Sequence, residues 1–267
     1  MPSIAICAPS RSLTQDDADR VIALAAGFPD LQLHFHDQCF LNDGHFAGSD
    51  ALRLAALLDC ANDPAFDAVW FARGGYGAAR IAEDAIARMD GTAEYKTYLG
   101  YSDGGMLLGG LYARDIGKQV HAPMPTDIRR DGGEAAVRRT LAYLAGDKAG
   151  VEPGLDHRPQ AAFNLMTLAM LTGTPLMPDL SGHVVLIEEV AEYDYAVDRL
   201  LFHVTSALPA IAGLRLGRVS AVPENEVEFG HTPEQIVEHW CKRAGVAYLG
   251  RADIGHDIDN KIVPFGT

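Results

Sequence analysis

From residue 3 to about residue 125, short β-type runs alternate with helical ones, and this alternation limits the possible folds more than any other feature of the chain. The runs SIAICA, LQLHFH, DAVWFA and YKTYLG have β character, whereas TQDDADRVIALAAG, SDALRLAALLDCA, GAARIAEDAIARM and GGMLLGGLYARDIG carry helical periodicity. Strands separated by helix-length connections suit parallel pairing, because a crossover helix returns the chain to the same end of the sheet. The pattern therefore predicts an α/β domain with a parallel, flavodoxin-like sheet covered by helices. Thr14 to Asp17 reads as a helix cap, and Gly27 with Pro29 as that helix's end.

A further helix, GGEAAVRRTLAYLAG, precedes the Gly-, Pro- and charge-rich stretch AGVEPGLDHRPQ. The expected organisation is an N-terminal domain over 1–148 with its connecting helix, a linker over 149–160, and a smaller C-terminal α/β domain over 161–267. That second domain would hold the strand HVVLIEEV, the helix YDYAVDRLLFHVTSAL, the run LRLGRVSAV, a helix opened by Thr232-Pro233-Glu234 and a closing strand pair. FNLMTLAMLTGTPLM reads as a buried helix, since Asn164, Gly173 and Pro175 interrupt what would otherwise be too short for a membrane span. Trp70 falls in a predicted buried strand and Trp240 in a helix.

Charge and cysteine usage narrow the function classes. A formal charge of -14 argues against a nucleic-acid partner, which would need a clustered cationic surface. Arg129-Arg130 and Lys242-Arg243 read as solvated faces. The four cysteines, Cys7, Cys39, Cys60 and Cys241, lack C-x-x-C spacing and suit reduced, buried thiols. The opening apolar run is too short and lacks the basic flank of a signal peptide. A cytoplasmic protein without membrane attachment is expected.

One motif carries chemistry. Gly100-Tyr101-Ser102-Asp103-Gly104 satisfies G-x-S-x-G with a predicted strand behind it and a helix ahead, the setting of a nucleophile elbow. The same serine would also serve as an ordinary helix cap, and the pentapeptide does not decide between the two. A nucleophile needs a base, and ten histidines are available. His34 and His36 share one face of a strand but have no companions at metal-ligand spacing, so no metal site is expected. His203 and His239 sit in amphipathic helices. His256 follows a glycine in Asp253-Ile254-Gly255-His256-Asp257, where either a structural or a catalytic histidine fits.

Four patches in order, WFARGGYGAARI, YLGYSDGGMLL, GHVVLIEEVAEYDYAVDRLLFHV and YLGRADIGHDIDNKIVPFGT, together with IAICAPSR, HAPMPTD and FNLMTLAMLTGTPLMPD, resemble the LD-carboxypeptidases, a serine peptidase family that includes muramoyltetrapeptide carboxypeptidase. The resemblance spans nearly the whole chain. It implies a Ser–Glu–His triad, placed here on Ser102, Glu188 and His256, with the latter two in the C-terminal domain. Adjacent strand residues point to opposite faces, so only one of Glu188 and Glu189 can meet the histidine. Oxyanion donors are expected from the backbone of Asp103 and of the Arg73-Gly74-Gly75 loop, with Gly75 preferred, although these glycines would equally form a plain tight βα turn; Arg73 would pair with a substrate carboxylate or serve the fold through a salt bridge. The implied reaction is release of terminal D-alanine from a murein tetrapeptide during cell-wall recycling, without metal or cofactor, by a homodimer. Two alternatives stand beside it: a microcin-immunity-type hydrolase of peptidyl or aminoacyl nucleotides, and a non-catalytic muropeptide-binding protein. Ala162-Phe163 stands where the family commonly has two glycines before the asparagine, a departure that bears on the pocket wall.

Overall fold

The computed structural model describes residues 1–224 and 226–266. Its first sheet contains β1 (Ser3–Cys7), β2 (Gln32–Phe35), β3 (Ala68–Phe71), β4 (Thr97–Gly100) and β5 (Lys118–His121), all parallel, in the order β5-β4-β3-β1-β2. That is the flavodoxin-like winding, in which the chain reverses direction across the sheet beside β1. The connecting helices α1 (Gln15–Ala25), α2 (Asp50–Asn62), α3 (Ala82–Arg88) and α4 (Gly105–Tyr112) follow the predicted alternation, and α5 (Glu134–Leu144) comes after β5. Thr14 and Asp17 form the reciprocal capping box that opens α1. All four cysteines are buried, free thiols.

The second sheet is also parallel. It contains β6 (Gln160–Asn164), β7 (Val184–Val190), β8 (Gly213–Ser220) and β9 (Tyr248–Arg251) in that order, connected by α6 (Leu165–Leu171), α7 (Asp194–Ala207) and α8 (Pro233–Ala244). The expected buried helix around 163–177 is shorter than its apolar run, because Phe163 and Asn164 close β6 and the Asn164 side chain caps α6. The closing strands do not pair with each other. β9 extends the second sheet, whereas β10 (Val263–Pro264) crosses back and lies antiparallel to β5 in the first.

The connecting segment is pinned on both sides. Val151 bridges Ile262, and the Glu152 carboxylate, almost fully buried, takes both terminal nitrogens of Arg215 at 2.8 and 3.1 Å. The two layers also meet through α4, which is buried along most of its length. A Cβ at Gly109 would stand 2.9 Å from Leu171, and one at Gly110 would stand 2.5 Å from Ile86 and 2.7 Å from Leu176. Glycine at these positions lets α3, α4 and α6 approach more closely than side chains would allow. No described helix is long and apolar enough to cross a membrane.

Candidate active site

In parallel sheets, ligands bind beyond the carboxyl ends of the strands, where the loops are free of the barrier of the sheet. Here two such edges converge. The first sheet contributes Arg11 after β1, Arg73 to Gly75 after β3, Ser102 after β4 and Met124 to Arg130 after β5; the second contributes Val190 at the end of β7 and His256 beyond β9. Together they enclose a cleft of about 500 Å³.

Ser102 stands at the start of a tight 3-10 turn (Ser102–Gly104) that leads directly into α4, and its φ of 57° lies in the left-handed region. For a residue with a side chain that conformation costs roughly 1–2 kcal/mol, so the surrounding contacts must hold it. Several glycines make those contacts possible. A Cβ at Gly100 would stand 2.7 Å from Phe71, and one at Gly74 would stand 2.9 Å from both Cβ and Oγ of Ser102. No side-chain capping bond from Ser102 is present at this turn or at α4, which removes the helix-cap reading. The geometry is that of a strand–elbow–helix.

Asp103, directly after it, turns its carboxylate inward. The carboxylate accepts from the Ser10 hydroxyl and from the Ala78 backbone N–H at 2.9 Å, tying the loops after β1 and β3 to the elbow. Burial raises its pKa, against the lowering pull of those bonds.

Glu188 and His256 are joined across the second layer. His256 Nδ1 lies 2.6 Å from Glu188 Oε2, with Glu188 fully buried and the histidine side chain 9% exposed. The β7–β8 register shifts between Ile187 and Glu189, where β8 carries one extra residue between Leu216 and Val219 while β7 keeps its pleat through Glu188. Gly217 of β8 has no room for a Cβ, which would meet Ile254 O at 2.6 Å and Ile187 O at 2.9 Å; the loop bearing His256 thereby crosses the sheet closely enough to reach Glu188. Arg218 holds that loop through ion pairs to Asp253 and Asp257, and Gly255 N–H donates to Asn260 Oδ1 at 3.1 Å. Glu189 points the other way, as the strand pleat requires, and accepts from Asn164 Nδ2 and from the N–H groups of Met166 and Val190.

Burial, the largest influence on His256, pushes its pKa down, but the Glu188 charge, their hydrogen bond and the charge of Asp127 outweigh it; the imidazole titrates above the ordinary histidine value. A carboxylate at Nδ1 keeps the proton of the neutral ring on that nitrogen and leaves the Nε2 lone pair to act as a base. Tyr101 packs on the ring with centroids 4.8 Å apart, and its hydroxyl donates to Asp127 at 2.8 Å.

The cleft wall is cationic although the chain is acidic. Arg129 and Arg130, expected on a solvated face, line it instead: Arg129 pairs with the buried Asp17 and Arg130 with the buried Asp127. Their loop follows β5, so sheet topology carries them to the carboxyl edge. Arg11 and Arg73 have no acidic partner among the described residues, and Arg73 donates only to the Ser12 carbonyl, at 2.9 Å. Burial, with the charges of Arg129 and Arg11, lowers the Arg73 pKa to about 10, which still leaves it cationic at neutral pH.

The structure thus brings Ser102, His256, Arg73, Gly74 and Gly75 to one cleft, places Glu188 behind His256, and sets the Asp103 side chain beneath the elbow. Tyr101, Asp127 and Asn260 complete the surroundings and were not singled out from sequence. His36 is structural: its Nδ1 accepts from the Gln38 N–H at 3.1 Å.

Comparison with known proteins agrees with this architecture. Residues 4–122 match the LD-carboxypeptidase N-terminal domain and residues 162–267 the LD-carboxypeptidase C-terminal domain. The murein tetrapeptide carboxypeptidase of Pseudomonas aeruginosa is 26% identical over 246 residues, covering 83% of this chain and 78% of its own. The crystal structure of muramoyltetrapeptide carboxypeptidase from Oxalobacter formigenes superposes with a TM-score of 0.83 at 24% identity, over 98% of this chain and 93% of that one. Microcin C7 self immunity protein MccF, solved in complex with aspartyl sulfamoyl adenosine, has the same fold, with a TM-score of 0.80 at 15% identity over 100% and 91% of the two chains. With both domain matches in chain order and together spanning most of its length, the chain belongs to the LD-carboxypeptidase family.

Proposed function

We propose that this protein is a serine carboxypeptidase that releases the terminal D-alanine of murein tetrapeptides across the L,D-peptide bond, with Ser102 as nucleophile, His256 as base and Glu188 as its orienting carboxylate. The observation that carries this reading is the 2.6 Å Glu188–His256 pair turned toward a cleft that also holds the left-handed serine. His256 Nε2 takes the Ser102 proton as the hydroxyl attacks the carbonyl, and Glu188 stabilises the imidazolium that forms. The N–H groups of Asp103 and Gly75 receive the oxyanion; the left-handed turn and the Gly75 φ of 109° favour their approach. The imidazolium then protonates the departing D-alanine nitrogen, and water hydrolyses the acyl-enzyme by the same steps in reverse. Arg73 and Arg11 hold the terminal carboxylate, for which their lack of an acidic partner leaves them available. The matched muropeptide carboxypeptidase of P. aeruginosa supports the substrate class. On this reading the enzyme works in the cytoplasm on recycled muropeptides, as a homodimer.

The test is D-alanine release from a disaccharide tetrapeptide and from the free tetrapeptide, against the same peptide with a C-terminal amide. Hydrogen bonds to a charged partner lose about 10- to 100-fold when the charge is removed, so the amide should fall by that factor in kcat/KM. Equal turnover of acid and amide would remove the arginines from substrate binding, and tetrapeptide binding without turnover would favour the non-catalytic alternative. A second reading, hydrolysis of aminoacyl nucleotides, draws on one feature: Tyr76 is half-exposed beside the serine and offers a ring face on which a base could stack. Turnover of an aminoacyl nucleotide in place of any tetrapeptide would establish it.

The close fit of Gly74 gives a further expected result. A methyl there would displace the Ser102 side chain, and misplacement of a reacting atom by even about 1 Å costs on the order of 10²-fold. Gly74→Ala should therefore lose about that much kcat while unfolding at nearly the wild-type temperature; a variant of unchanged activity would show that the loop can yield.

A further inference from the structure

Ser102 lies between two depressions. One is the cationic cleft that contains His256; the other, about 260 Å³, lies between the loops of the first sheet and the α6–β7 edge of the second and is lined by Asp103, with Gly75, Ser102 and Val190 shared between the two. Granting the serine carboxypeptidase reading above, His256 fixes the direction in which a peptide crosses the serine. The group that protonates the leaving nitrogen must stand on the leaving residue's side. His256 lines the cationic cleft and not the smaller depression, so the terminal residue lies with the arginines and the acyl residue lies on the other side, next to the proposed oxyanion donors.

The smaller depression has a definite chemistry. Met106, Met166 and Met170 give it an adaptable apolar wall, and every ionisable carboxylate or cation among its lining residues is acidic: Asp103, Glu189 and Glu192. Two of those carboxylates are already engaged by the protein, Asp103 by Ser10 and Ala78, and Glu189 by Asn164, Met166 and Val190. Glu192 is different. It is half-buried in the turn after β7, and among the described residues it makes no hydrogen bond or ion pair. A half-buried carboxylate over a methylene-compatible wall suits a side chain with an apolar stem and a cationic tip.

We propose that Glu192 is the specificity-determining residue for the acyl side of the bond, receiving the terminal ammonium of an L-diamino acid whose methylene stem lies along the three methionines. No arginine, lysine or histidine lines this depression, so a carboxylate at the end of the side chain finds no partner there. The enzyme reads the amine and gains nothing from the additional carboxylate that distinguishes meso-diaminopimelate from lysine.

The experiment uses tetrapeptides that differ only in the third residue, with lysine, meso-diaminopimelate or norleucine, and compares kcat/KM for D-alanine release. Norleucine keeps the stem and lacks the ammonium. The full-length enzyme should favour lysine over norleucine by about 10- to 100-fold, the range of a charge-assisted hydrogen bond, and should cut the diaminopimelate peptide no better than the lysine one. In Glu192→Gln the lysine-to-norleucine ratio should collapse toward one, and in Glu192→Lys it should invert. Equal wild-type rates on lysine and norleucine, a clear preference for diaminopimelate over lysine, or a ratio unchanged in Glu192→Gln would overturn the assignment while leaving the carboxypeptidase reading in place. Failure of the wild type to release D-alanine from all three peptides would instead overturn that reading, and this one with it.

Discussion

Ser102→Ala is expected to lower D-alanine release by about 10⁴-fold or more, the loss typical of removing the nucleophile from a serine triad, and to leave the fold intact. The two parts of that expectation have separate causes. In the proposed triad the activity depends on Oγ of Ser102, which lines the same cleft as His256 and whose side chain lies against Gly74. The fold does not, because among the described residues no hydrogen bond uses that hydroxyl, and alanine tolerates the φ of 57° about as well as serine. The variant should therefore unfold within a few degrees of wild type and still bind the tetrapeptide. Calorimetry, titration with tetrapeptide, and D-alanine release on the same preparation check the three claims together. A folded alanine variant with more than about one hundredth of wild-type activity would exclude Ser102 as the nucleophile.

The strand–turn–helix setting of this serine is legible because it is local: strand, two glycines and helix lie within a dozen residues, and each constrains the backbone directly, although the pentapeptide alone leaves nucleophile and helix cap open. The β/α alternation of the first layer is legible for the same reason. What was lost depends on distance along the chain. β6 does not read as a strand, its first residue closing the expected linker and its last two opening the expected helix, because QAAFN is buried throughout and shows no alternation to mark it. Arg129 and Arg130 look like a solvated pair in sequence; the buried partner of Arg129, Asp17, becomes visible only once α1 and the β5 loop are packed together, while Arg130 pairs within its own loop with Asp127. β9 and β10 look like neighbours, yet one ends the second sheet and the other joins the first, with the His256 loop strung between them. A loop anchored to both layers carries His256 against Glu188 of the second layer and into the cleft that Ser102 of the first layer also lines. Residues that act through such anchoring, Arg218 and Asn260 among them, leave no motif, since their role depends on partners that only the fold supplies.

Glu188→Gln should separate orientation from charge in the proposed dyad. The amide fills the same buried space, so a folded variant is expected, but it removes the negative charge and offers a donor to His256 Nδ1. When that donor faces the ring, the proton moves to Nε2 and the lone pair that would accept the serine proton is lost; in a serine triad this change costs about 10⁴-fold in kcat. The sign of the pH effect follows from the forces on His256. In wild type the Glu188 charge and hydrogen bond outweigh burial and hold the pKa above the ordinary value of about 6.5. Catalysis needs the neutral ring, so wild-type kcat/KM should rise with pH through that raised pKa and fall away on the acid side. With Glu188 neutralised, burial becomes the dominant influence and drives the pKa below the ordinary value, so the acid limb moves to lower pH while the plateau drops. The ring can be followed directly by its proton NMR shift, which makes the result independent of residual turnover. A His256 titration that stays at the wild-type pH in Glu188→Gln would mean that Glu188 is not the group that sets its charge, and the dyad would have to be reassigned to Asp127, the other carboxylate whose field raises it.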